Sequence, residues 1–358
     1  MTNLFSPLKI GDLTLNNRII MAPLTRRRSG RTRVPNELMA QYYAQRASAG
    51  LIMTEATVVT PMGIGYAETP GIWSDAQVDG WKLTTRAVHE AGGRIFLQLW
   101  HVGRVSDPEF LGGARPVAPS AVAMKGHVSL LRPERAYGVP RPLEAAEIPD
   151  VIDAFRVGAE NAQRAGFDGV ELHGANGYLL DQFLQDSTNL RTDLYGGSLE
   201  NRARVLLEAT DAAILVWGPD RVGVHLAPRA DAHDMGDADL ARTFTYVAQQ
   251  LGQRKIAFLC AREHVAPDSL GPRLKQAFGG TYIGNESYTF QSATQALQAG
   301  DVDAVAFGKL FIANPDLPRR FKTGAPLNPW NADTFYSFGP QGYVDYATLQ
   351  AEAMSTST

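Results

Sequence analysis

The stretch Arg18-Ile-Ile-Met-Ala22-Pro-Leu-Thr-Arg-Arg27 decides the fold. Arg18–Ala22 is a short apolar run with branched side chains, the form of a strand buried on both faces in a parallel sheet. A doubly wound sheet usually follows its first strand with a glycine-rich turn that lets backbone approach a pyrophosphate. Here the chain runs through Pro23, Leu24 and Thr25 with no glycine at all. Seven similar runs follow, at Leu51–Thr54, Ile95–Leu99, Gly169–Leu172, Val222–Leu226, Ile256–Leu259, Thr281–Gly284 and Val302–Ala306.

Segments of helical period alternate with these runs: Asn36–Ser48, Asp75–Glu90, Ala146–Ala165, Leu199–Leu215, Asp239–Leu251, Ser269–Ala277 and Phe290–Ala299, several opened by a capping Ser, Asp or Asn. Eight strands alternating with helices predict an α/β chain of one domain over 1–358, a single (β/α)8 barrel. Residues 102–144 break the rhythm, being rich in Pro and Gly and too long for a minimal connection, and predict an inserted lid or subdomain after strand three. The tail from 351 to 358 is expected to fray.

Composition narrows the function. With 34 basic and 37 acidic residues, a net charge of −3 and 44% hydrophobic content, the chain is an ordinary globular protein without the field that attracts nucleic acid. The basic run Arg26, Arg27, Arg28, Arg31, Arg33 is the exception, and reads as a solvated loop in preference to a phosphate grip. The single cysteine, Cys260, sits in an apolar run as an inert buried thiol, allows no intrachain disulfide and suits a reducing compartment. No signal peptide is evident, and no stretch approaches the about 18 apolar residues that span a bilayer. A cytoplasmic protein, without nucleic-acid or membrane partners, is expected.

Barrel enzymes carry their chemistry at the carboxyl ends of the strands. Those ends are polar here: Thr25 after strand one, Gln98, Trp100 and His101 at the end of strand three, Gly308 and Lys309 after strand eight. Strand four runs into His173, Asn176 and Tyr178. Two of these side chains can grip one oxygen and stabilise charge that develops on it, while Tyr178, protonated at neutral pH, can supply a proton. The same residues can equally be a satisfied core histidine, a turn former and a helix-entry staple. Ser198 reads as a helix cap. The Asp231, His233, Asp234 group lacks further ligands for a metal, and none is expected.

The pieces Met21-Ala-Pro-Leu-Thr-Arg26, Leu97-Gln-Leu-Trp-His-Val-Gly-Arg104, Gly169-Val-Glu-Leu-His-Gly-Ala-Asn-Gly-Tyr178, Asn189-Leu-Arg-Thr-Asp-Leu-Tyr-Gly-Gly-Ser-Leu-Glu-Asn-Arg202 and Phe307-Gly-Lys-Leu-Phe-Ile-Ala-Asn-Pro-Asp316 stand in an order that resembles the Old Yellow Enzyme family over nearly the whole chain. The resemblance implies an ene-reductase with a short N-terminal β-hairpin. Such an enzyme holds FMN tightly but noncovalently, takes hydride from NADPH or NADH, and passes it in ping-pong fashion to the β-carbon of enones, enals, maleimides or nitroalkenes. It implies that His173 and Asn176 hold the activating oxygen, that Tyr178 protonates the α-carbon, and that Thr25, Tyr66, Trp100 and Tyr336 line the substrate pocket. Around the cofactor it implies Pro23, Leu24, Thr25, Ala56, Gln98, His173, His225, Asn285, Glu286, Gly308 and Lys309. A monomer or small homo-oligomer is implied.

Two positions depart from the family pattern. His225 stands where an arginine often lies near flavin N1, leaving either His225 or Arg229 to supply positive charge. Lys309 stands where an arginine usually grips the phosphate, and lysine acts there as a point charge without the fork. Glu286, beside the expected phosphate, is expected to turn its side chain outward. Nitrate-ester or nitroaromatic reduction on the same scaffold is an alternative. An iron–sulfur reductase is excluded by the single cysteine; a Schiff-base lyase on Lys309 or a barrel kept only for binding are the remaining rivals.

Overall fold

A computed structural model describes residues 2–229 and 232–351. Eight strands form its centre: β1 (Ile19–Met21), β2 (Leu51–Met53), β3 (Ile95–Trp100), β4 (Gly169–Gly174), β5 (Val222–Leu226), β6 (Phe258–Arg262), β7 (Tyr282–Asn285) and β8 (Ala304–Phe307). All neighbours pair in parallel, β8 pairs back onto β1, and the pairing of β2 with β3 completes the ring. The closed (β/α)8 barrel expected from the alternation is therefore present. Around it run α1 (Glu37–Ala44), α2 (Asp75–Glu90), α3 (Ile148–Arg164), α4 (Leu199–Trp217), α5 (Leu240–Gln253), α6 (Gly271–Phe278), α7 (Phe290–Ala299) and α8 (Leu317–Thr323).

Local chemistry explains the helix starts. Ser74 opens α2 with a capping box to Gln77, and the side chains of Asn36, Ser198, Asp239 and Thr289 each accept from an amide of the first turn of their helices. Ser198 is thus a cap, as read from sequence. Each helix buries an apolar stripe on the strands, with α3 offering Phe155, Ala159 and Ala162 and α5 offering Phe244, Val247 and Leu251. Burying one such large side chain contributes about 1.5–3 kcal/mol.

The bottom of the barrel is plugged. An antiparallel hairpin, Leu8–Ile10 with Leu13–Leu15, sends its apolar side chains against Ile20, Leu51, Met53, Phe96, Phe258 and Ile283. Gly11 makes the hairpin possible: its φ is +55°, and a Cβ there would lie 2.0 Å from the carbonyl oxygen of Asp220. With the lower mouth filled by side chains, ligands enter at the carboxyl ends of the strands.

Residues after β3 contain a short turn at Pro108–Leu111 and a two-stranded ribbon, Val117–Ala118 with Arg141–Pro142. Met124, Val128, Leu131 and Tyr137 from this insertion pack over Trp100, with Tyr66 and Tyr178 against the same cluster. It therefore covers one wall of the upper mouth. The tail from 352 to 358 lies outside the described residues.

The basic run differs from its expectation. Arg26, Arg27 and Arg28 are buried. Arg26 donates to the carbonyls of Phe335 and Gly342 and to the Tyr42 hydroxyl, at 2.7–3.1 Å, and Arg28 donates to the carbonyls of Thr334 and Phe335. The guanidinium groups of Arg26 and Arg28 also lie over the Tyr343 ring. These three are not solvated, and they tie the start of the barrel to the segment carrying Tyr336, whereas Arg31 is exposed as expected and Arg33 donates to the carbonyls of Tyr66 and Thr69. Arg26→Met should lower stability by about 3 kcal/mol, because buried carbonyls lose their donors. A urea midpoint unchanged within error would show that those carbonyls find other partners.

Candidate active site

Side chains two apart on a strand share a face, so Glu171 and His173 of β4 both point into the barrel. Register sets Gln98 beside Glu171, His225 beside His173 and Cys260 beside His225. These five make a polar layer above the apolar plug. Gln98 Nε2 donates to Glu171 Oε2 at 2.8 Å and lies 3.4 Å from His225 Nδ1; His225 Nδ1 is 3.7 Å from Glu171 Oε1. Since the Gln98 amide group gives its hydrogen to the carboxylate, its oxygen is left to accept from a ligand.

Above the layer opens a cavity of about 620 Å³, a size typical of cofactor and small-molecule sites. Of the residues named from sequence, Pro23, Leu24, Thr25, His173, Asn176, His225, Asn285, Glu286, Gly308, Lys309 and Tyr336 line it. Gln98 is buried beneath. Ala56 and Trp100 are buried in the cluster under the insertion, with Tyr66 and Tyr178 packed against them. Trp100, Tyr66 and Tyr178 lie beside the lining residues: Trp100 is 1% exposed, stacked on Tyr66 at 5.5 Å, met edge-on by Tyr178 at 4.9 Å and stacked 6.3 Å from the His173 ring.

His173 and Asn176 stand on one wall. Ala175 N donates to His173 Nδ1 at 3.4 Å, which leaves the ring hydrogen on Nε2. Burial, reinforced by the neighbouring imidazoles of His225 and His233 and by the Arg262 guanidinium, lowers the His173 pKa well below its usual range, so the ring is a neutral donor. Asn176 adopts a left-handed backbone, φ 59°, and its Oδ1 accepts from Arg262 Nη1 at 2.9 Å, leaving the amide hydrogens to donate. Tyr178 meets His173 edge-on at 4.9 Å, and burial raises its pKa, so the phenol keeps its proton.

Arg262 and Trp330 also line the cavity, and neither was anticipated. Arg262 ends β6, which begins and finishes later than Ile256–Leu259; extending that strand by its register would have brought the arginine to the active face. Trp330 lies in an irregular segment with no periodic signal. Arg229 turns away, bridging Glu263 and Asp268 at 2.6–3.1 Å, whereas His225 and Arg262 line the cavity. Glu286 does not turn outward: it lines the cavity, and Oε1 accepts from Arg262 Nη2 at 3.1 Å. Its φ of 96° and that of Ser287, 58°, are strained for residues with a Cβ, as backbone at functional turns often is. The Asn285 side chain donates to the Ala306 carbonyl at 2.9 Å, which leaves its other polar atoms for the cavity.

Asp231 lies outside the described residues. Among the described residues, Glu171, His225 and Cys260 bring ligand atoms within 4.8 Å of one another, although burial pushes the Cys260 thiol well up and keeps it a poor ligand.

His101, at the end of β3, is buried, and burial lowers its pKa to about 3. The unfolded chain takes up its proton near pH 6.5. The stability that this neutral ring contributes is therefore complete above pH 6.5 and is lost as pH falls toward 3. His101→Gln should flatten the fall of the unfolding free energy, measured by urea titration between pH 7 and pH 5, by up to about 1.4 kcal/mol per pH unit. An unchanged slope would mean that the ring is charged when folded.

The cavity, the polar layer and the barrel together define a cofactor-holding (β/α)8 enzyme. The family described as NADH:flavin oxidoreductase / NADH oxidase matches residues 3–328. 12-oxophytodienoate reductase 1 of Oryza sativa subsp. japonica is 44% identical over 361 residues, covering 97% of this chain and 93% of its own. The Old Yellow Enzyme homologue of Zymomonas mobilis superposes with a TM-score of 0.95 at 46% identity, covering 97% of this chain and 100% of its own. Morphinone reductase, solved with tetrahydroNAD, does so with a TM-score of 0.94 at 46% identity, covering 98% of each. The chain belongs to this family and is an FMN-dependent oxidoreductase of the Old Yellow Enzyme type.

The residues fit that cofactor. Lys309 and the strained turn at Glu286 and Ser287 line the cavity, and Lys309 offers a cation to a phosphate. Thr25 and His225 also line it, with Gln98 beside His225, and these are hydrogen-bonding groups of the kind a pyrimidine ring requires. No described helix is long and apolar enough to cross a membrane.

Proposed function

We propose that the protein is an ene-reductase that reduces activated C=C bonds of enones, enals, maleimides and nitroalkenes at the expense of NADPH or NADH. Bound FMN supplies the hydride. His173 Nε2 and the Asn176 amide hold the carbonyl or nitro oxygen and stabilise the charge that gathers there, and Tyr178 protonates the α-carbon. Thr25 and Tyr336 flank the bound alkene, with Tyr66 and Trp100 backing the aromatic wall; Leu24, Pro23, Gly308, Asn285, Glu286 and Lys309 surround the cofactor.

The observation that carries this reading is a neutral histidine donor and an amide donor on one wall of the cavity, with a protonated tyrosine packed edge-on against that histidine. A neutral donor suits an oxygen that becomes negative only during reaction, since it costs little desolvation beforehand. The test is a titration of the purified yellow protein with a para-substituted phenol, followed by the release and chromatographic identification of the flavin. A new long-wavelength band that weakens in His173→Ala supports a phenolate seated between His173 and Asn176. A spectrum indifferent to the phenol overturns the assignment.

A further inference from the structure

Behind Tyr178 the hydroxyl groups continue in series. Tyr178 Oη lies 3.1 Å from Tyr66 Oη, Tyr66 Oη lies 3.4 Å from His233 Nε2, and His233 Nδ1 lies 2.5 Å from the Asn176 carbonyl oxygen. A carbonyl only accepts, so Nδ1 carries the hydrogen. Burial lowers the His233 pKa, with the charges of Arg104 and Arg262 acting in the same direction. A neutral ring with hydrogen on Nδ1 presents Nε2 as an acceptor to Tyr66. Either hydroxyl can donate across the Tyr66–Tyr178 contact, so once Nε2 gains a proton Tyr66 can accept from it and turn its own hydrogen to Tyr178.

We propose that Tyr66 and His233 form a proton relay that restores the Tyr178 phenol after it has protonated the substrate. The proposal rests on the reading of Tyr178 as the acid. As the new α C–H bond forms, the Tyr178 O–H bond breaks; the Tyr66 hydroxyl proton moves to the Tyr178 oxygen. The Tyr66 oxygen then takes a proton from Nε2 of His233, which has gained that proton from a solvent acid, hydronium or buffer, whose conjugate base stays in solvent, and the ring returns to its neutral Nδ1–H form. One proton is drawn from solvent for each alkene reduced, and no electron moves along the relay.

Three loops must meet for this chain to exist, and the structure fixes each of them. Tyr66 belongs to the loop after β2, and its carbonyl accepts from Arg33 Nη1 at 3.0 Å. Arg104, buried, donates to the carbonyls of His233 and Asp234 at 3.0 and 3.1 Å and so fixes the loop after β5. Gly177 lets that loop approach Tyr178: its φ is +73°, and a Cβ would lie 2.8 Å from His233 Cβ. His233 is part-exposed while Tyr178 faces His173, so the series leads from the solvent side toward the reacting carbon.

The test uses the holoenzyme reduced with NADPH and mixed with a nitroalkene, whose nitronate is seen directly before it is protonated. In Tyr66→Phe and His233→Ala the ratio of nitronate protonation to flavin reoxidation should fall at least about tenfold, and added imidazole should recover part of the loss in His233→Ala. A proton inventory in mixed light and heavy water should be bowed for the parent and linear for Tyr66→Phe. Nitronate protonation slowed by Tyr178→Phe but untouched by both relay variants would overturn the relay and leave the acid in place. Protonation untouched by Tyr178→Phe would overturn both.

Discussion

His173→Ala is expected to slow reoxidation of the reduced enzyme by an enone about 10²–10³-fold, the effect of deleting one preorganised donor to a developing oxyanion. The imidazole is buried, neutral and held by Ala175 N, so its Nε2 hydrogen is aimed before the substrate arrives. Alanine leaves Asn176 as the remaining donor on that wall, and Arg262 holds the Asn176 oxygen so that its amide hydrogens keep their direction. FMN should remain bound, because the contacts expected at Thr25, Gln98 and Lys309 are untouched. Stopped-flow reoxidation with 2-cyclohexenone separates the two effects. A rate within threefold of the parent, with flavin retained, would remove His173 from the oxygen site. Because its depressed pKa keeps the ring uncharged, His173 should place no limb in the pH profile between pH 6 and 8.

Tyr178→Phe should cost about 10²–10⁴-fold in protonation of the α-carbon, the range of a positioned general acid. Burial raises the phenol pKa, so the group is a full acid at neutral pH and its anion is costly. The loss should be greatest with enones. Nitroalkenes yield a stable nitronate, which should accumulate in the variant and be seen by its absorbance. Rapid, stereospecific protonation without Tyr178 would assign the acid elsewhere.

The barrel was legible because a buried parallel strand leaves a short apolar run, and eight of them leave a rhythm. α2 and α7 agree with their expected bounds, Asp75–Glu90 and Phe290–Ala299, because each begins at a capping side chain. Polar residues after strands pointed to most of the cavity lining for the same reason: a barrel puts those positions in one place. What escaped was whatever depended on a distant partner. The arginine run looked solvated because the carbonyls it serves lie 306–316 residues away. Glu286 looked outward-facing because Arg262 was hidden by a strand boundary set too early. Trp100, Tyr66 and Tyr178 pack in one cluster with side chains of the insertion, a grouping that no local pattern encodes.

The arginine clamp also dictates an order of assembly. Arg26 and Arg28 are made early, but the acceptors that compensate their burial come from Thr334, Phe335 and Gly342. Until that late segment arrives, closing so long a loop has only its entropic cost, and the guanidinium groups stay hydrated. The wall bearing Tyr336 is therefore the last part of the cavity to form. In pulsed hydrogen exchange during refolding, amides around 334–344 should gain protection after those of β3 and β4, so the catalytic donors are in place before the pocket around them is complete.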